Sequence, residues 1–273
     1  MKFVLPIVGL GVALSLIMMA AWWVAIRSGR SGWIDAIWSF AVGLCGAGSA
    51  LLVAGDGAGA RPLLIAGLAL LWSLRLGIHI VLRTARSADD DPRYAELKRQ
   101  WGDNFQRRLF WFLQIQALAG FVLALSILAA ALNPAPAFGP GDWVGILLLL
   151  VAVLGEGMAD RQLAAFRADP AKKGKVCDAG LWGMSRHPNY FFEWLGWLAY
   201  PVIAIDLTGS YPWGWAAFAA PALMYWLLVH ASGIPPLETH MLRSRGERFR
   251  RYQRRVNAFW PGLPERGATT EES

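Results

Sequence analysis

Long apolar runs separated by short polar connections are the dominant pattern along the chain. A membrane-spanning helix needs about 20 mostly apolar residues. Seven runs fit that description, at 3–26, 33–54, 62–82, 109–132, 143–160, 190–206 and 214–231. The first has only Lys2 before it, is too long for a signal h-region and lacks a clear small-residue cleavage site. It is therefore expected to stay as a helix. The fifth and sixth runs carry acidic residues.

Positive charge follows these runs loop by loop. The connections 27–32, 83–108 and 161–189 hold 2, 7 and 6 Lys or Arg, and the tail after 231 holds 8. The intervening connections 55–61, 133–142 and 207–213 hold only Arg61. Such alternation is what the positive-inside rule requires of seven helices. The pattern predicts an all-α, polytopic integral membrane protein with seven transmembrane helices, its N-terminus outside and its C-terminus cytosolic. Trp22, Trp23, Trp33, Trp111, Trp143, Trp213 and Trp215 lie near the ends of runs, where amphipathic rings prefer to sit.

Ionisable residues inside spans are costly and are candidates for function. On this topology they all fall in the cytosolic half. Asp35 opens the second span, Arg75 and His79 lie near the cytosolic end of the third, and Gln114 and Gln116 are in the fourth. Glu156 and Asp160 end the fifth span, Asn189 and Glu193 open the sixth, and His230 ends the seventh, with Glu238 and His240 just beyond. Residues four apart share a helix face, so three helices offer a two-residue polar stripe. The arrangement fits one polar cavity open to the cytosol, or a set of interhelical hydrogen bonds.

Composition agrees. Of 273 residues, 56% are hydrophobic and 16% charged, against about 25% charged in an ordinary soluble domain. A pI near 9.8 belongs to cytosolic loops in such a chain rather than to nucleic-acid binding. Cys45 and Cys177 do not suit a bridge, and no zinc-like spacing is present, so no metal is expected. The segments 91–108 and 237–262 fit short helices resting a basic face on anionic membrane lipid, or a lid over a phosphate-bearing cofactor. The end "GATTEES" is expected to be disordered. One membrane domain is thus expected over 1–262, with a disordered tail at 263–273.

Basic residues crowd the cavity mouth. Arg161, Arg167, Lys172, Lys173, Lys175 and Arg186 lie in one loop, and Arg83, Arg86 and Arg93 in another. Guanidinium groups suit bidentate phosphate recognition, so a soluble dinucleotide is a natural ligand. The usual fingerprint is absent: "GLG" (9–11) is inside a span and "GDGAG" (55–59) is in an outside loop. Neither a G-x-S-x-G elbow nor an H-E-x-x-H pair occurs.

The stretch "GLWGMSRHPNYFFEWLGWLAYP" (180–201) has a glycine-containing turn, an Arg-His-Pro-x-Tyr core and a Glu three residues after the Tyr. It resembles the C-terminal domain of the steroid 5-alpha-reductase family, most closely its bacterial membrane branch. Asp35 with Trp38, Arg75 with His79, "DPRY" at 91–94 and "SGIPPLETHM" at 232–241 extend the resemblance over about 33–261. The resemblance implies a seven-helix membrane enzyme that binds NADPH from the cytosolic side. It implies reduction of an activated carbon–carbon double bond in a lipid or steroid-like substrate. Carried over by position, the cofactor contacts are Asp160, Arg167, Lys175, Asn189 and Glu193, with Arg186 and Tyr190 adjacent. Glu156, Glu238 and His240 complete the candidate cofactor set, which falls within about 143–262. The implied location is the bacterial inner membrane, with the active site facing the cytosol.

One departure stands out. The steroid enzymes place a Gln-Glu pair on the second helix and a Tyr on the third. Here residues 33–54 hold neither Gln nor Glu, and 62–82 hold no Tyr. Asp35, Arg75 and His79 are the candidate catalytic residues instead, His79 having the most suitable ordinary pKa for delivering a proton. A second reading is a membrane methyltransferase of the isoprenylcysteine carboxyl type, which carries a similar Arg-His-Pro-x-Tyr segment and binds S-adenosylmethionine. That cofactor has no phosphate, so it leaves the basic residues of 161–186 without a purpose.

Overall fold

The computed structural model describes residues 4–52, 59–87 and 90–263. The stretch "GDGAG", expected in an outer loop, and the tail "GATTEES" therefore lie largely or wholly outside the described residues. All regular structure among the described residues is helical. The helices are α1 Val4–Ser28, α2 Gly32–Leu52, α3 Arg61–Arg86, α4 Pro92–Trp101, α5 Phe105–Ala131 and α6 Pro140–Ala168. They continue with α7 Pro188–Trp197, α8 Ala199–Ala204, α9 Ala219–Trp226, α10 Ile234–Arg245 and α11 Glu247–Arg255. Among the described residues six stretches are long and apolar enough to cross a membrane: Leu5–Ser28, Gly32–Leu52, Arg61–Arg86, Arg93–Ala131, Pro140–Ala168 and Pro212–Arg245.

The sixth apolar run, 190–206, is divided into α7 and α8, of 10 and 6 residues. Pro201 has no amide to bond back to the carbonyl of Trp197, so a continuous ladder is interrupted there. The last run begins as a 3₁₀ segment, Pro212–Phe218, and passes through α9 into a π-helical turn, Leu227–Ala231. In that turn the amides of Ser232 and Gly233 both reach back to the Leu227 carbonyl, at 2.8 and 3.1 Å.

Two compact units form the chain. The first comprises Met1–Leu149 and Leu198–Ala220, and the second Leu150–Trp197 and Pro221–Ser273. In the first unit α1, α2, α3 and α5 pack side by side. Leu10, Leu14, Met18, Ala21 and Ala25 recur at helical spacing on α1 and are buried. On its other face Leu5, Val8, Val12, Leu16 and Trp23 are exposed. A helix that is apolar on its exposed face as well as its buried one suits lipid rather than water.

Small residues set how closely α2 and α3 approach. A Cβ added at Gly43 would lie 2.1 Å from the Ser73 Cβ, and one at Gly77 would lie 2.5 Å from the Phe40 ring. α4 is amphipathic: Tyr94, Leu97 and Trp101 join the α1–α5 core, while Lys98, Arg99 and Gln100 are exposed. The same unit holds a buried ion pair. Arg61 donates from Nε to Asp142 Oδ1 at 2.8 Å and from Nη2 to Oδ2 at 3.0 Å. Its remaining donors reach the carbonyls of Asn133, Ala135 and Ala137. The single basic residue of the expected outer loops is thus consumed in holding that end of the unit together.

In the second unit α11 turns Phe249 and Tyr252 inward, and with Val256 just after its end they pack against Val176, Met241 and Leu242. Its arginines 248, 250, 251, 254 and 255 stay exposed. Gly246, at φ +53°, supplies the left-handed residue that separates α10 from α11.

Candidate functional site

Two polar constellations stand out, one in each unit. In the first, Asp35 on α2 meets the start of α4. Arg93 Nη2 donates to Asp35 Oδ2, and the Tyr94 hydroxyl donates to Asp35 Oδ1 at 3.1 Å. Gln116 of α5 donates to the Tyr94 oxygen at 3.4 Å, and Trp38 Nε1 donates to the Gln116 carbonyl at 2.9 Å. Asp91 caps α4 through the Arg93 amide at 3.0 Å and also binds the Arg93 side chain at 2.9 Å. Its carboxyl is held below the ordinary range: hydrogen bonds and charge from Arg93 outweigh the opposing effect of burial.

The two short motifs around Asp35 and at 91–94 therefore join in one cluster. Sequence reasoning named Asp35 but not Tyr94 or Gln116 as its partners. A signal was present, because Tyr94 leads the apolar stripe of an otherwise charged helix. Arg75 and His79 are half-buried on α3, four apart as expected.

In the second unit the segment 185–188 is tied to the chain's C-terminal strap. The Arg186 amide donates to the Asn257 carbonyl at 2.8 Å, and the Gly262 amide to the Met184 carbonyl at 2.9 Å. Ser185 Oγ donates to the Phe259 carbonyl at 2.9 Å and accepts the His187 amide at 3.1 Å. Tyr252 donates to the Trp182 carbonyl at 2.5 Å, and its phenol is pushed well above the ordinary tyrosine range by burial.

Glu238 of α10 is the hub. It accepts from Arg186 Nε at 2.7 Å and Nη2 at 3.2 Å, from Gln253 Nε2 at 2.7 Å and from His187 Nε2 at 3.0 Å. Arg186 Nη1 also donates to the carbonyls of Gln253 and Val256, at 3.2 and 2.6 Å. Burial holds the His187 imidazolium pKa below its ordinary value, against the opposing pull of Glu238.

The other named residues of this unit divide by exposure. Glu193 is buried and accepts from Trp197 Nε1 at 2.9 Å. Glu156 is buried, Asp160 and Asn189 are half-buried, and Tyr190 stacks on His187 at 5.5 Å between centroids. Arg167, Lys175 and His240 are exposed. All ten candidate cofactor residues lie in the second unit, and Asp35, Arg75 and His79 all lie in the first. His187 and Gln253 were not among the candidates. His187 was visible in the Arg-His-Pro triplet, whereas nothing in the sequence singled out Gln253 within an arginine-rich helix. Among the described residues no group of His, Cys, Asp and Glu is placed to hold a metal ion.

No solved structure matches the chain. A protein of Schizosaccharomyces pombe described as uncharacterized is 28% identical over 228 residues, covering 74% of this chain. The chain spans only 64% of the length of that relative. A family model described as "Protein of unknown function (DUF1295)" matches residues 21–256, and the chain belongs to that family.

Proposed function

We propose that the protein is a membrane-embedded, NADPH-dependent reductase of an activated carbon–carbon double bond in a lipid, of the steroid 5-alpha-reductase type. The observation that carries the reading is the meeting of Asp35, Arg93, Tyr94 and Gln116 from three helices. Reducing a carbonyl-conjugated double bond drives negative charge onto the carbonyl oxygen. A hydrogen-bond donor fixed at that oxygen lowers the barrier. Tyr94 supplies such a donor by turning its one O–H proton from Asp35 to the substrate oxygen, while Gln116 donates to the phenol oxygen and Arg93 stays paired with the Asp35 side chain. The phenol missing from the third helix is thereby supplied by α4.

The donor set of the second unit suits a dinucleotide. Asn189 and Glu193 present an amide and a carboxylate on one face of α7 for the nicotinamide or ribose part. Exposed Arg167, Lys172, Lys173 and Lys175 offer charge to phosphate. Arg186 has committed most of its donors to Glu238 and two carbonyls, so its part is to build the turn. When bound, NADPH would supply the hydride. The same reading takes the chain across the membrane seven times, with 190–206 as the sixth crossing. The N-terminus is outside and the cofactor residues are on the cytosolic side of a bacterial inner membrane. The alternation of positive loops supports this topology.

Turnover tests the reading. Purified protein in detergent is given NADPH with enone steroids and unsaturated isoprenoid aldehydes, and products are followed by mass for the gain of two hydrogens. Tyr94→Phe should lower kcat by at least about a hundredfold and leave NADPH affinity unchanged. No reduction of any enone, or equal turnover in Tyr94→Phe, contradicts it.

A further inference from the structure

His187 has one ring nitrogen engaged and one without a partner. The residue is 3% exposed, and its Nδ1 is buried with no hydrogen-bond partner. Which nitrogen carries the proton follows from the surroundings. Glu238 is an acceptor when ionised, and Arg186 and Gln253 already donate to it. His187 Nε2, at 3.0 Å, must therefore be the donor to that carboxylate. The neutral ring then presents a bare lone pair at Nδ1. Protonating Nδ1 would place a second cation beside Arg186 with no acceptor for the new N–H, and burial opposes it further. A buried acceptor left unpaired costs stability.

The ring is also held in place. Ser185 Oγ accepts its backbone amide at 3.1 Å, and Tyr190 lies nearly parallel to it at 11°. An orientation fixed this way, with one acceptor left over, is how a binding site is preorganised. His187 immediately precedes α7, the helix that carries Asn189 and Glu193.

We infer that His187 Nδ1 accepts a hydrogen bond from a ribose hydroxyl of a nucleoside cofactor. The inference rests on the proposed reading that the second unit takes such a cofactor, and it holds for NADPH and S-adenosylmethionine alike. The chemistry narrows the group to an O–H or N–H donor. A lone pair attracts an uncharged donor and repels phosphate or carboxylate oxygen, which leaves phosphate to the exposed basic residues. Glu238 is then a positioning residue: it fixes the tautomer that leaves Nδ1 open.

The test is calorimetry on the full chain in detergent, with NADPH, S-adenosylmethionine and analogues of each lacking one ribose hydroxyl. His187→Gln keeps an amide near the Nε2 position for Glu238 and removes the Nδ1 acceptor. His187→Asn places an oxygen near the Nδ1 position and gives up the Glu238 contact. In the wild-type protein one deoxy analogue should bind about five- to tenfold more weakly than its parent. His187→Gln should bind the parent more weakly by a similar factor and no longer distinguish it from that analogue. His187→Asn should recover part of the discrimination. Wild-type protein that loses no affinity with any deoxy analogue overturns the inference without any variant. An equal loss in wild-type and His187→Gln also overturns it, while leaving the cofactor reading intact. Failure of wild-type protein to bind either parent removes the cofactor reading and the inference together.

Discussion

Replacing Glu238 with alanine should loosen the attachment of the C-terminal strap to the 185–188 turn. The side chain receives four hydrogen bonds from three residues, and it and Arg186 are only 13% and 11% exposed. Removing one partner of a buried ion pair costs about 3–5 kcal/mol, because the remaining charge is left unpaired. Arg186 keeps two carbonyl acceptors and some contact with solvent, so the lower end applies, about 3 kcal/mol. At about 2–4 °C per kcal/mol, the melting temperature should fall by roughly 6–12 °C. Glu247→Ala is the matched control. That residue pairs with Arg254 at 2.8 Å with both side chains more than half exposed, and its loss should leave the melting temperature unmoved. The assay is thermal unfolding in one detergent, followed by tryptophan fluorescence, with limited proteolysis of the strap alongside. Equal melting temperatures for the two variants would refute the reasoning, because the hub would then hold nothing.

Three further outcomes follow from the packing and charge. Arg61→Ala should cost about 3–5 kcal/mol, since it leaves Asp142 buried without its partner; Arg61→Met with Asp142→Leu should recover part of that loss in the same melt. Gly43→Ala should be strongly destabilising, because its Cβ would meet Ser73 at 2.1 Å, whereas Gly48→Ala, with nothing within 4 Å, should be neutral or mildly stabilising; expression and melting of the pair decide it. Stability should decline as pH falls below about 6.5, the unfolded histidine value. The folded His187 pKa is depressed, so the unfolded chain binds the extra proton in the window between the two values and stability rises with pH across it. The groups facing that ring are Glu238, Arg186 and Tyr190. Melting temperatures of wild type and His187→Gln over that window should converge at lower pH, and parallel curves would contradict the assignment.

The helical class and six helices long and apolar enough to cross a membrane were readable from run length alone, because lipid demands about 20 apolar residues in a row. Which face of α1 is core was not readable, since Leu10 and Leu16 are alike in composition and only packing makes one buried and the other exposed. The break in 190–206 had a local cue in Pro201, but a proline within an apolar run does not say whether neighbouring helices restore the ladder. Candidate residues were named by their cost inside a span, which singled out Asp35 and Glu193, with Glu238 named just beyond one. It said nothing about partners. Arg93 meets Asp35 across 58 residues of sequence and Arg186 meets Glu238 across 52. Such pairings exist only once the helices are assembled. Arg186 was expected at phosphate because its charge was visible, while the carboxylate that claims it was visible only in three dimensions.

The most direct measurement is cofactor binding by the purified protein in detergent, comparing NADPH, NADH and S-adenosylmethionine by calorimetry, with Arg167→Ala and Glu193→Ala beside the wild type. The account predicts that NADPH binds, that NADH binds more weakly, and that both substitutions weaken NADPH. Binding of S-adenosylmethionine alone, or of none of the three, would contradict it.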